Sequence, residues 1–154
     1  MEYRSLITEF AASLGIDEMA FDDDGVARLA ADDMVLAFME IPERDELLIW
    51  SKVATPPPGE LEKLYKMLLE ASFMGRATHG ACFSLEEGDI HLHRIDALVT
   101  LDVASLTTIV EDFLNLVETY RNIVEAYRPD DSDKPEEQPD GSGREFGSLG
   151  FMQV

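Results

Sequence analysis

The run Leu61-Glu62-Lys63-Leu64-Tyr65-Lys66-Met67-Leu68-Leu69-Glu70-Ala71-Ser72-Phe73-Met74-Gly75 decides how the rest of this chain must be arranged. It is followed by Arg76-Ala77-Thr78-His79-Gly80 and by Ala81-Cys82-Phe83-Ser84-Leu85-Glu86-Glu87-Gly88-Asp89-Ile90-His91-Leu92-His93. At about 100° per residue, Leu61, Leu64, Tyr65, Leu68 and Ser72 share one side of a helix, with Leu69 and Phe73 beside them. Met67, Ala71 and Met74 add a second apolar arc, and Lys63, Lys66 and Glu70 take the remainder. A helix apolar over more than half its circumference needs two neighbours to pack against. Gly75 ends it, and Ala81, Phe83 and Leu85 alternate as a strand does before the acidic turn Glu86-Glu87-Gly88-Asp89.

Before this run, Tyr3, Leu6, Ile7, Phe10, Ala11 and Leu14 lie on one narrow helical face, with Gly15 and Ile16 placed to close it. Asp22-Asp23-Asp24-Gly25 is a turn, because Asp bonds nearby backbone and Gly accepts positive φ. Strands are expected over Val26 to Ala31, Met34 to Ile41 and Glu46 to Val53, joined by Asp32-Asp33 and Pro42-Glu43-Arg44-Asp45 as an antiparallel meander. Met34 to Met39 and Leu47 to Trp50 are apolar at every position, so both faces of these strands need cover. Helices of the same chain could supply it, or a partner could. Thr55-Pro56-Pro57-Pro58-Gly59 is a stiff connector that cannot continue a strand. After the second hairpin, Ile90 and Leu92 point one way and His91, His93 and Ile95 the other. From Asp102, a good N-cap, Leu106, Ile109, Val110, Phe113, Leu116, Val117, Tyr120, Val124 and Tyr127 form the stripe of a long helix. The order is helix, three strands, helix, two strands, helix: an α+β fold with helices packed on an antiparallel sheet.

This succession resembles the class I type III secretion chaperones, the Tir-chaperone (CesT-like) family. The resemblance runs from about Tyr3 to Tyr127 and is sharpest over Leu68 to Gly75, where the family usually has Asn and this chain has Ser72. It implies a homodimeric, cytoplasmic, non-catalytic bacterial protein that holds the N-terminal segment of an effector in extended form, soluble and competent for export. It also implies traffic with secretion-apparatus components and no cofactor. By the same analogy the client-binding patches draw on the first helix and the meander, with Phe10, Leu36, Phe38, Ile49 and Trp50 as candidates. The direction of each strand residue is open by one step of register. The subunit interface draws on the middle helix through Leu64, Met67, Ala71 and Met74. Two other readings stay open: an interaction or regulatory module of the same fold that binds a folded partner, and a small-ligand α+β domain.

Composition agrees with a binding protein. The chain has 154 residues and a formal net charge of −20, enough length for one domain and the wrong sign for phosphate backbones or anionic membranes. Such charge keeps like molecules apart, which suits a protein with apolar surface. One cysteine, Cys82, allows no internal disulfide and reads as a small buried thiol in a reducing compartment. No signal segment opens the sequence and no apolar run approaches the roughly 20 residues of a membrane span. His91 and His93 make a feasible metal pair without a third ligand, and Gly75 to Gly80 opens like a phosphate loop but lacks its Lys and Ser or Thr. No catalytic set emerges. Residues 1–128 therefore form one domain, and 129–154 an acidic, Pro- and Gly-rich tail expected to be disordered. Its apolar end, Phe146 to Val154, is either frayed or a tethered segment that docks on an apolar groove and competes with a client.

Overall fold

Helix α1, Tyr3–Ser13, buries Tyr3, Leu6, Ile7, Phe10 and Ala11, the residues that recur at helical spacing. It closes at Gly15, whose φ of +82° lets Gly15 N donate to Ala12 O and Ile16 N to Ala11 O, both at 3.0 Å. That double bond satisfies two of the carbonyls a helix end leaves open. In the structure, a computed structural model that describes residues 2–129 and 150–154, a meander of β1 (Ala27–Ala31), β2 (Met34–Ile41) and β3 (Glu46–Ala54) follows. Then come α2 (Glu62–Ser72), β4 (Cys82–Glu86), β5 (Asp89–Ala97), α3 (Val103–Ala126) and β6 (Phe151–Gln153). The disorder expected over Pro129 to Ser148 concerns residues that, beyond Pro129, lie outside the described ones.

All pairings are antiparallel, and the sheet runs β4-β5-β3-β2-β1-β6. Five strands were expected; the C-terminus supplies the sixth. One face of the sheet carries Leu29, Leu36, Phe38, Leu47, Ile49, Val53, Ile90 and Leu92, all buried. They form one core with the apolar face of α1 and with Leu106, Val110, Phe113, Val117, Tyr120 and Val124 of α3. Asp102 starts α3 through a reciprocal cap: Ser105 N donates to Asp102 Oδ1 at 2.8 Å and Asp102 N to Ser105 Oγ at 2.9 Å. The Ser105 amide, and after it the Ser105 hydroxyl at 2.7 Å, donate to the Asp102 carboxylate and hold it below the usual range.

After Ser72 the chain narrows into a tight turn, Phe73–Gly75, in which Met74 is left-handed at φ 55°. Gly75 is required there, since a Cβ on it would stand 2.7 Å from Gly80 Cα, where Gly80 N donates to Gly75 O at 3.1 Å. Ser72 does the joining beside it: its Oγ donates to Leu68 O at 3.0 Å and accepts from Phe83 N at 3.1 Å, tying β4 to α2.

Tyr3 connects α1 to the sheet, its hydroxyl 2.8 Å from Phe38 O and 2.9 Å from Gly25 O. Burial pushes its pKa up to about 12. The folded state thus resists ionisation that the unfolded chain undergoes at about 10. Stability from Tyr3 is intact below pH 10 and is lost at roughly 1.4 kcal/mol per pH unit as pH rises toward the folded value. Urea titrations from pH 8 to 12 should show this slope, and Tyr3→Phe should reduce it while costing about 1 kcal/mol at neutral pH for the lost bond.

Candidate protein-binding surface

Directly opposed residues share a sheet face, so the register defines what lies on the side away from α1 and α3. One row runs Arg28, Ala37, Trp50, His93, Cys82. A second runs Met39, Leu48, Ile95, and a third Met152, Ala30, Val35. Ala30 and Ala37 are buried between larger neighbours, Met39, Leu48 and Trp50 are half-buried, and Val35, Ile95 and Met152 are exposed. The result is a shallow apolar floor with an indole standing on it, rimmed by Arg28, Glu46 and Lys52.

The structure corrects the register of the expected client residues. Phe10, Leu36, Phe38 and Ile49 are each 0 % exposed and belong to the core, so they offer no surface in this fold. Trp50 points outward, and its company is Val35, Ala37, Met39 and Leu48 rather than Leu36 and Phe38. A signal for this existed in β3: Glu46, Leu48, Trp50 and Lys52 form the set with charges at both ends, whereas Leu47, Ile49, Ser51 and Val53 carry none.

Helix α2 has a similar correction. Leu64 is fully buried, and Met67 and Ala71 are half-buried against the core, so of the expected interface residues only Met74 is exposed. The open apolar surface here is instead Leu69 and Phe73, which continue the i, i+4 row of the half-buried Leu61 and Tyr65 and line a shallow depression with them and with Glu62, Lys66 and Glu70. Leu69 and Phe73 are 67 % and 68 % exposed. The expected core side of Leu61, Leu64, Tyr65 and Leu68 does face the core, while Leu69 and Phe73, expected beside it, lie outside because an apolar arc this wide has no edge that periodicity marks.

Several groups with chemical potential, Cys82, Ser84, His91 and His93, lie on β4 and β5. Cys82 is exposed, not buried, because its register against His93 places it on the outer face of an edge strand. Burial pushes the His93 pKa down, and its Nδ1 lies 3.3 Å from Ser84 Oγ. His91 Nε2 stands 3.9 Å from Glu86, and His79 Nδ1 3.7 Å from Asp112 on α3. Among the described residues no group of three or more His, Cys, Asp or Glu could hold a metal ion. Nor is any of their helices long and apolar enough to cross a membrane.

Fold and surface define a small α+β module whose sheet is covered by helices on one side and apolar but open on the other. Residues 5–121 match the Tir chaperone protein (CesT) family, and the chain belongs to that family. None of the curated proteins matches it by sequence. Solved structures share its fold. A chain of the ExsC-ExsE complex superposes with a TM-score of 0.69 at 19% identity, covering 80% of this chain and 97% of that one. A chain of the HopA1-SchA chaperone-effector complex gives 0.66 at 22% identity over 78% of this chain and 93% of that one. The Yersinia pestis type III secretion chaperone SycH, in complex with a stable fragment of YscM2, gives 0.62 at 19%, with 75% and 97% covered.

Proposed function

We propose that this chain is a non-catalytic chaperone for a type III secretion effector, acting in the bacterial cytoplasm as a homodimer. It holds the effector's N-terminal segment extended across the outer face of the sheet. The observation that carries this reading is the open floor of Val35, Ala37, Met39, Leu48, Trp50 and Ile95 in a member of a chaperone family. An extended segment suits it, since alternate side chains of a client can drop into a shallow apolar surface while its backbone finds a sheet edge. Ordering a flexible client has a cost, and a broad apolar contact offsets it.

Coexpression with N-terminal effector segments should yield a soluble, stoichiometric complex in which the segment remains without a fold of its own. Retention of no segment, or of a client that is folded in the complex, would contradict the proposal. The second case favours an interaction module for folded partners.

The dimer is assigned to the stripe on α2. Two copies of Tyr65, Leu69 and Phe73, with Met74 beside them, would cover each other's apolar surface across a two-fold axis. Leu69→Asp with Phe73→Asp places charges in the middle of that contact, and light scattering should then report a monomer whose circular dichroism is unchanged. A variant that stays dimeric would move the interface elsewhere.

A further inference from the structure

A sheet has two edges, and this one treats them differently. At β4 the helix α2 lies alongside, and the Phe83 amide is already taken by Ser72 Oγ at 3.1 Å. At β1 the chain's own C-terminus covers the edge: Ala31, Ala30 and Leu29 pair with Phe151, Met152 and Gln153. Asp32 N extends the ladder by donating to Gly150 O at 3.4 Å.

Side chains hold this short strand from the other side. Phe151 is half-buried against the core. The Gln153 side-chain amide, oriented to satisfy both partners, donates to Glu18 O at 2.7 Å and accepts from Ala20 N at 2.8 Å. The segment therefore lies in a slot between β1 and residues 18–20, with backbone being read on both sides. Met152, between the two, is turned to the outer face and 62 % exposed.

We propose that Phe151–Gln153 is an internal stand-in for a client strand. The slot accepts an extended segment with a large apolar side chain at the position of Phe151 and an amide-bearing one two residues on, and the chain's own end occupies it until a client displaces it. This deepens the chaperone reading above and rests on it. Three residues of ladder make a weak complex on their own, but tethering raises their local concentration to the order of mM. That is enough to close an edge that would otherwise pair with other copies. A longer client strand, with more ladder and more apolar contact, still wins.

The test uses the full chain and a variant with a released end, Phe151→Asp with Gln153→Ala. The probe is a labelled peptide of residues 146–154, followed by fluorescence anisotropy. The released variant should bind the peptide, and the wild-type chain about 10-fold more weakly, as expected for a peptide Kd near 100 μM against a tether on the order of mM. A peptide carrying the same two substitutions should not bind. If the released variant ignores the peptide, or both proteins bind it equally, the stand-in is refuted.

An effector segment that copurifies with the chain supplies the second arm. It should displace the labelled peptide and bind the released variant about 10-fold more tightly than the wild type. Equal binding to both proteins, with the peptide still seated, overturns the stand-in and leaves the chaperone reading intact. Binding to neither overturns both.

Discussion

Trp50→Ala is expected to weaken capture of an effector segment by about 30-fold or more, while the melting temperature falls by only a few degrees. The indole stands on the outer face, half-buried, between Ala37 and His93 of its row. Ala37 beside it is small, and Leu48, Met39 and Ile95 extend the apolar floor on the other side. Aromatic anchors in such settings carry 2 kcal/mol or more of binding free energy, which corresponds to roughly 30-fold in Kd. The fold itself loses little, because the half-buried ring is not part of the core cluster. Calorimetric titration with an effector segment and a thermal scan of the free protein separate the two effects. Undiminished affinity would show that the client does not use this floor.

Phe38→Ala should do the reverse, lowering stability by about 3–5 kcal/mol, as truncation of a buried phenylalanine does. Phe38 is 0 % exposed, meets Phe10 edge-on at 6.0 Å and 64°, and its carbonyl oxygen lies 2.8 Å from the Tyr3 hydroxyl. A cavity there opens between α1 and β2, and its cost adds to that of the lost apolar contacts. Since domains have only about 5–15 kcal/mol in hand, the variant should be marginal at 25 °C and show a much lower urea midpoint. The fraction that remains folded should bind clients with unchanged affinity. Phe38 and Trp50 sit one register step apart on paired strands and would thus separate the two faces of one sheet: one serves the fold and the other the partner.

Much of the architecture was legible in the residues. Gly15 and Ile16 announced the closure of α1, Asp102 the start of α3, and Asp32-Asp33 the hairpin between β1 and β2. Each of these is local chemistry, settled within a few residues. The direction of β2 and β3 was not legible, because a strand apolar on both sides loses the alternation that marks a face. Leu36, Phe38 and Ile49 were therefore assigned outward and lie inward, although the charges at Glu46 and Lys52 pointed the right way in β3. In helix α2 the core side of Leu64 and Leu68 was legible, but its apolar arc is so wide that the exposure of Leu69 and Phe73 was not. Cys82 was expected inside and lies outside because its strand is an edge, which depends on topology. β6 was beyond local pattern altogether, since three residues acquire a strand's conformation only through a partner more than a hundred positions away.

The open outer face of the sheet is where the whole functional reading stands, and solvent labelling tests it residue by residue. Carbene footprinting of the chain, free and bound to an effector's N-terminal segment, should show Met39, Leu48, Trp50 and Ile95 losing label on complex formation, with the outward surface of α3 unchanged. Full labelling of those four residues in the complex, with protection confined to the helical side, would contradict it.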